Sequence, residues 1–103
     1  MLRWIKNYYT GKTVKDAEDI RAKMKEGKIL PGIFLIAFSR HPDHLLEIVP
    51  EYMLLQKWNE KSCSRIIGVA KGKKEAMELV ADIFREVYDN TGTVDIQKYL
   101  KNR

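Results

Sequence analysis

The sequence predicts an α+β fold, with a three-stranded, mainly antiparallel sheet and two main helices packed on it. The clearest pattern is an apolar run that begins at Ile33 and predicts a strand over Ile33–Arg40. A second strand, Leu45–Val49, follows a turn of hairpin length, so these two strands are expected to be antiparallel. The third strand, Arg65–Ala70, leads directly into a helical pattern over Lys73–Asp89.

The N-terminal part of the chain precedes the first predicted helix. Residues 1–9 fit either a strand or a short helix. Thr13 then fits a helix N-cap, because Asp16, three residues later, can return a hydrogen bond as in a capping box. A narrow apolar stripe predicts a helix over Thr13–Glu26, and Gly27 ends it.

The first predicted strand is apolar on both faces. Both faces of Ile33–Phe38 should therefore be covered, and the strand is expected in the centre of the sheet. The segment from His41 to His44 has turn chemistry, with a proline that presets its own φ. Pro50 ends the second strand, and the apolar spacing that follows predicts a short helix from Glu51 to about Trp58.

The strongest helical pattern lies near the C-terminus. Over Lys73–Asp89, apolar residues recur at i, i+3, i+4 and i+7 and form a broad stripe. Gly92 supplies a C-terminal stop. The segment Val94–Leu100 then predicts a final helical turn or two that docks its apolar residues on the core.

The composition is that of a folded chain with a modest basic excess. There are 19 Lys and Arg residues against 14 Asp and Glu, for a net charge of +5, and 45% of residues are apolar. The longest apolar run is far short of the ~20 residues that a membrane-spanning helix needs. Cys63 is the single cysteine, so no internal disulfide is expected. One cytoplasmic domain over residues 1–103, without a membrane partner, is the expectation.

The turn after the third strand is a candidate anion site. Its residues are Lys71, Gly72, Lys73 and Lys74. They place three ammonium groups at a helix start, where the first N–H groups lack backbone acceptors. The tripeptide Gly11-Lys12-Thr13 also looks like the end of a phosphate loop, but Lys6 stands where the first glycine belongs. Two interpretations remain for the turn: a looser anion contact, or solvated lysines at a structural turn.

Four further residues are candidate catalytic or metal-binding groups. They are His41, Asp43, His44 and Cys63. Zinc usually recruits ligands from several segments, and the chain has no other histidine. A hairpin turn accounts for the first three residues and a structural cysteine for the fourth. No metal or cofactor is therefore expected, and a small enzyme using these groups is the third functional hypothesis.

Aromatic residues outside the clear core patterns form a candidate interface. They are Trp4, Tyr8, Tyr9, Tyr52 and Trp58. Tyr and Trp often anchor protein interfaces, although these rings could also stack on single-stranded nucleic acid or close the ends of the core. The leading hypothesis is a non-catalytic binding or accessory module that meets a protein partner or a second copy. Binding of nucleic acid or a phosphate ligand through Lys71, Lys73 and Lys74 is the alternative.

A family resemblance rests on hydrophobic patterning and turn glycines. The segments that carry it are Leu45–Val49, Leu54-Leu55-Gln56, Ile66–Gly72 and Glu75-Ala76. In these segments the chain resembles small uncharacterised bacterial proteins of about this length. The resemblance implies a bacterial, cytoplasmic, stand-alone domain, and it assigns no activity and no functional residue.

Overall fold

A mixed four-stranded sheet carries one helix on each face in the computed structural model, which describes residues 4–38, 46–51, 65–92 and 99. The strands are β1 (Trp4–Thr10), β2 (Ile33–Phe38), β3 (Leu46–Pro50) and β4 (Ile66–Lys71). The helices are α1 (Ala17–Lys25) and α2 (Lys73–Thr91). The α+β prediction is therefore confirmed at the level of fold class.

The strand order is β1-β4-β2-β3, with two antiparallel pairs and one parallel pair. β2 is antiparallel to β3 and to β4, so Phe34 pairs with both Pro50 and Ala70. β1 is parallel to β4, with Thr10 opposite Val69. Strands β1, β3 and β4 consequently run in one direction, and their C-terminal ends lie at the same end of the sheet.

Each face of the sheet has its own core cluster. Leu35 and Ala37 of β2 pack with α1 residues such as Ile20 on one face. Ile36, between them in sequence, packs with α2 residues such as Ile83 on the other. Both faces of β2 are therefore covered, as predicted, and β2 is paired on both sides.

The prediction of three strands was wrong, because the N-terminal segment adds a fourth. Its pairing with β4 is irregular: Trp4 pairs with Ile66, whereas Tyr9 pairs with Gly68, so the register shifts between these two pairs. Such a shift changes which face each side chain occupies and breaks the strict alternation that marks a strand in sequence. This irregularity explains why the sequence pattern of residues 1–9 fits both a strand and a short helix.

Helix α1 is shorter than predicted at its start. It begins at Ala17 after Asp16, whose side chain makes no capping hydrogen bond. Thr13 is therefore not the N-cap, and its hydroxyl makes a contact elsewhere in the fold. The predicted end at Glu26 was close, since the helix ends at Lys25 with Glu26 as its C-cap.

Helix α2 begins at Lys73, as predicted, and extends to Thr91 rather than Asp89. Gly72 precedes it with φ of +87°, and Gly92 follows it with φ of +71°. Both values lie in the region that side chains with a Cβ rarely adopt, so glycine sets both ends of the helix. Gly92 also donates its N–H to the Tyr88 carbonyl at 2.7 Å.

Several predictions fall outside the described residues. Glu51 is helical, but residues 52–58 of the predicted short helix are not described. Tyr99 is helical and packs against the core on the α2 face, while the rest of Val94–Leu100 is not described. The residues that lie wholly outside are His41, Asp43, His44, Tyr52, Trp58 and Cys63. Of the helices in the described ranges, neither has the length and apolar content to cross a membrane.

Candidate functional site: a crevice between β1 and β4

The two parallel strands β1 and β4 part at their C-terminal ends. After β1 the chain passes through residues 11–13 to Val14, which packs in the core on the α1 face. After β4 it passes through residues 71–75 to Ala76, which packs in the core on the α2 face. Where neighbouring parallel strands send their connections to opposite faces, a crevice opens, and open α/β sheets commonly bind ligands there.

The hydrogen-bond ladder stops at the mouth of this crevice. Gly11 donates its N–H to the Val69 carbonyl at 2.9 Å, one step beyond the end of β1. In a regular parallel ladder, Lys71 would next donate to the Gly11 carbonyl. That carbonyl instead accepts from Val14 at 3.1 Å, because the chain turns away here. The Lys71 N–H therefore needs another acceptor.

The carboxylate of Glu75 supplies that acceptor from the first turn of α2. Its Oε2 accepts from the Lys71 N–H at 2.7 Å. Its Oε1 accepts from the Thr13 N–H at 2.9 Å and from the Thr13 hydroxyl at 2.7 Å. One side chain thus joins the loop after β1 to the turn after β4, 62 residues apart in sequence.

Gly11 makes room for this carboxylate. A Cβ placed on Gly11 would lie 2.3 Å from Glu75 Oε2 and 2.7 Å from its Cγ. The described φ of Gly11 is not positive, so the requirement is for space rather than for an unusual backbone conformation. Any larger residue would displace the Glu75 side chain from the crevice.

The surroundings favour the ionised form of Glu75. Partial burial acts to raise its pKa, but the hydrogen bonds from Lys71 and Thr13, together with the positive charge of Lys71, outweigh burial and lower the pKa below its usual value. Glu75 also lies at the positive end of the α2 dipole, which favours a negative charge. The crevice therefore already holds one anion, and it belongs to the protein.

The structure brings the predicted anion-site residues to the same crevice. Lys71 is exposed, and its Nζ lies 3.6 Å from Asp16 Oδ1. Gly72 donates its N–H to the Gly32 carbonyl at 2.7 Å. Lys73 and Lys74 are exposed on the first turn of α2. Their N–H groups precede the first bond of the helix, which Ala76 donates to the Gly72 carbonyl at 3.1 Å.

Sequence reasoning missed the role of Glu75 and the partner of Thr13. The sequence pattern suggests the end of a phosphate loop at Gly11-Lys12-Thr13 and a turn at residues 71–74, and it gives no link between them. One signal was present: Glu75 stands at the third helical position, where a carboxylate often reaches back to free N–H groups. The contact with Thr13 has no local signal, because it depends on β1 lying beside β4.

A second carboxylate, Glu51, lies at the same end of the sheet but is fully buried. It follows Pro50, which is level with Ala70 because both residues pair with Phe34. Its Oε1 accepts from the Leu30 N–H at 2.8 Å, and its Oε2 has no hydrogen-bond partner within the part of the chain described. Burial raises the pKa of Glu51, and the single hydrogen bond from Leu30 opposes this only in part.

The N-terminal aromatic residues of the candidate interface contact other parts of the same chain. The Arg21 guanidinium lies 4.8 Å from the centre of the Trp4 ring and 5.2 Å from that of Tyr8. The Tyr8 hydroxyl donates to Glu18 Oε1 at 2.7 Å. Tyr9 donates to Glu86 of α2 on the other face. All three aromatic residues are partly buried, and their role in an interface stays a prediction.

Metal binding has no support from the described ranges, in which no group of three His, Cys, Asp or Glu side chains is arranged to hold an ion. The crevice carries one hydrogen-bonded carboxylate and several lysines, a combination that suits anions better than cations.

Comparisons with protein-family models, with curated proteins and with solved structures found no match to this chain.

Proposed function

We propose that this protein is a binding module that takes the phosphate group of a small ligand at the rim of the crevice between β1 and β4, beside the start of α2. One observation carries the proposal: two lysine-bearing segments, 11–13 and 71–75, converge where the chain leaves two parallel strands toward opposite faces. Such crevices are the usual ligand sites of open α/β sheets. A helix start adds N–H groups and a positive dipole end that favour an anion.

Glu75 defines where the ligand would bind. Its carboxylate occupies the N–H groups of Thr13 and Lys71, so these donors are not available to a phosphate. The phosphate is expected at the rim, beside the N–H groups at the start of α2 and the ammonium groups of Lys73 and Lys74. The Lys71 ammonium, which lies near Asp16, is expected to contribute less.

A small ligand fits the charge distribution better than nucleic acid does. The exposed side of α2 carries Glu78, Asp82 and Asp89 within the turns that follow the lysines. The exposed side of α1 likewise carries Glu18 and Asp19. A nucleic-acid surface usually presents a continuous basic stripe along the phosphate backbone, and these carboxylates interrupt one.

The test is a titration with pyrophosphate followed through backbone amide resonances. Saturable shifts are expected in residues 70–75, and they should weaken steeply as salt rises. The double variant Lys73→Gln, Lys74→Gln should abolish them. A matched control, Lys25→Gln with Lys28→Gln, removes two exposed lysines elsewhere and should leave the titration unchanged. A single-stranded oligonucleotide added in a separate series distinguishes a small ligand from nucleic acid.

Glu75→Gln provides a second, independent arm. Removing a negative charge beside the rim should strengthen pyrophosphate binding about fivefold, since a charge about 4 Å away in water contributes on the order of 1 kcal/mol. No saturable shift in either protein at low salt would overturn the proposal and leave a purely structural turn. Tighter binding of the oligonucleotide than of pyrophosphate would replace the small ligand with nucleic acid.

We also propose that the protein acts in a reducing, cytoplasmic setting of a bacterium, as its sequence suggests. The single cysteine, Cys63, supports the reducing compartment. An enzyme using His41, Asp43, His44 or Cys63 stays the less favoured hypothesis, because the sequence shows no catalytic pairing for them and all four lie outside the described residues.

A further inference from the structure

An apolar stripe on the outer side of α2 is largely exposed, although Phe84 within it packs against the core. Met77 and Tyr88 are 57% and 59% exposed, although both are large apolar residues. Ala81, between them, is also exposed, and Phe84 is half-buried. The residues that α2 buries are different ones: Ala76, Leu79, Ile83 and Val87. The helix therefore has a second apolar stripe, which Phe84 borders on the side of the core and in which Met77, Ala81 and Tyr88 are exposed.

The spacing of this face is that of a two-helix seam. Met77, Ala81, Phe84 and Tyr88 follow one another at intervals of four, three and four residues. This is the heptad pattern in which two positions of every seven face a partner helix. In heptad terms, Ala81 and Tyr88 share the a position, and Met77 and Phe84 share d. A lone surface helix has no need of such a seam.

We propose that α2 pairs with α2 of a second copy of this chain in an antiparallel arrangement. In that arrangement each a residue lies opposite a d residue of the other copy. Ala81 then meets Phe84, a small residue against a large one, and Met77 meets Tyr88 in the layers outside. The two-fold axis lies between the paired helices, so every contact occurs twice.

Charge complementarity selects a second copy as the occupant. Glu78 and Arg85 both occupy the e position beside the seam, and antiparallel helices bring e residues of the two copies together. Glu78 of each copy then faces Arg85 of the other. Lys73 and Lys74 lie near the C-terminal end of the partner helix, whose last turn has no basic residue of its own. Cations are favourable at that end of a helix dipole.

The parallel arrangement is less favourable for the same residues. It would place Lys74 opposite Lys74 of the second copy at an a position, where two ammonium groups repel. It would also place the charge of Arg85 beside the apolar side chain of Val80 rather than beside Glu78. The seam is short, since a helix of 19 residues is about 28 Å long. The dimer is therefore expected to bury less than the roughly 1,200–2,000 Å² of a standard interface and to be reversible.

The test is sedimentation velocity over a concentration series up to about 1 mM, where a free energy of association near −4 kcal/mol is still detected. Glu78→Arg alone and Arg85→Glu alone each replace two attractions by two repulsions, and each should weaken dimerisation about tenfold. The double variant should restore it. An equimolar mixture of the two single variants should form the heterodimer. Lys25→Glu, an exposed charge reversal on α1, is the matched control and should leave dimerisation unchanged.

All of these side chains are exposed, so the variants should keep the helical circular dichroism and melting temperature of the parent protein. A monomer at every concentration would overturn the proposal. So would single variants that dimerise normally, or a double variant that is not restored, because either result moves the contact away from the Glu78–Arg85 pairs.

Discussion

Two glutamates at the same end of the sheet have side-chain pKa values that the fold shifts in opposite directions. Glu75 is partly exposed and accepts three hydrogen bonds from Thr13 and Lys71. Glu51 is fully buried and, among the described residues, accepts one, from Leu30. The pKa of Glu75 is lowered and that of Glu51 is raised. The number of donors, set against burial, decides which form of each side chain the fold favours.

The opposite pKa shifts of Glu75 and Glu51 make the stability of the protein depend on pH below and above the ordinary glutamate pKa, about 4.5. Because the folded pKa of Glu75 is lowered, its contribution is present above 4.5 and is lost as pH falls through the folded value. Because the folded pKa of Glu51 is raised, its contribution is present below 4.5 and is lost as pH rises through the folded value. The two carboxylates therefore act in separate pH windows.

Replacing Glu75 by alanine should have the largest effect. It leaves the N–H groups of Thr13 and Lys71 without their acceptor and should lower the free energy of unfolding by about 2 kcal/mol at pH 7, as expected for hydrogen bonds to a partly exposed ionised group. Urea unfolding at low protein concentration measures the change. The loss should shrink at acidic pH, where Glu75 of the parent protein is itself protonated and its hydrogen bonds no longer gain from the negative charge.

Asp82→Ala is the control for that measurement, because Asp82 is exposed on the same helix and has only a surface contact with Arg85 at 3.8 Å. Its effect should stay within about 0.5 kcal/mol. Equal losses in the two variants would mean that Glu75 contributes as an ordinary helix residue and that the crevice does not depend on it.

The sequence predicted most of the elements of the fold, but less of how they are joined. The apolar run Ile33–Phe38 and the helix at Lys73 were predicted because both patterns are local and regular. Strand β1 was not predicted, because the register shift between Trp4 and Tyr9 disrupts the alternation of apolar and polar residues along it. Without β1 the parallel pair was missing, and with it the crevice.

The candidate site was predicted in parts for the same reason. Lys71, Gly72, Lys73 and Lys74 were identified from a turn and a helix start, which are local features. The link between Thr13 and Glu75 spans 62 residues and requires β1 beside β4. A hydrogen bond between distant segments leaves no periodic signal, so only the tertiary structure supplies it.

Gly11→Ala should cause the second-largest loss of stability, after Glu75→Ala. The added Cβ would lie 2.3 Å from Glu75 Oε2, and the flexible side chain would move out rather than the backbone. The cost is then the loss of the same hydrogen bonds, so a stability loss of roughly 1–2 kcal/mol is expected. The decisive measurement is the double variant with Glu75→Ala. It should be no less stable than Glu75→Ala alone, whereas additive losses would show that Gly11 has a separate role.

Glu51→Gln tests whether the Glu51 carboxyl makes the stability of the protein depend on pH. Glutamine keeps an oxygen for the Leu30 N–H but has no carboxyl proton to lose. Stability of the parent protein should fall as pH rises above about 4.5, and this fall should be absent in Glu51→Gln. Urea midpoints from pH 4 to pH 8 measure the slope. Since only the slope is compared, a change in baseline stability from the buried amide does not affect the result.

Glu47→Gln is the matched control, because Glu47 is the other glutamate of the same strand region and is not fully buried. Its pH profile should follow that of the parent. A parent profile without the fall above pH 4.5 would show that the Glu51 carboxyl gains solvation in the folded protein, and the contrast with Glu75 would be lost.

Thr13→Val should have the smallest effect on stability, because it removes a single hydrogen bond to Glu75. Valine is close in shape and removes only the hydroxyl donor, while the backbone N–H of residue 13 still reaches Glu75 Oε1. One lost hydrogen bond at an exposed position should cost about 0.5–1 kcal/mol. With fewer donors, the pKa of Glu75 should move back toward its usual value, so the acid-side loss of stability should be smaller and should be complete at a higher pH. Thr10→Val, an exposed change on β1, is the control and should leave the size of that loss unchanged. A Thr13→Val protein whose acid-side loss matches that of the parent would show that the backbone donors alone set the ionisation of Glu75.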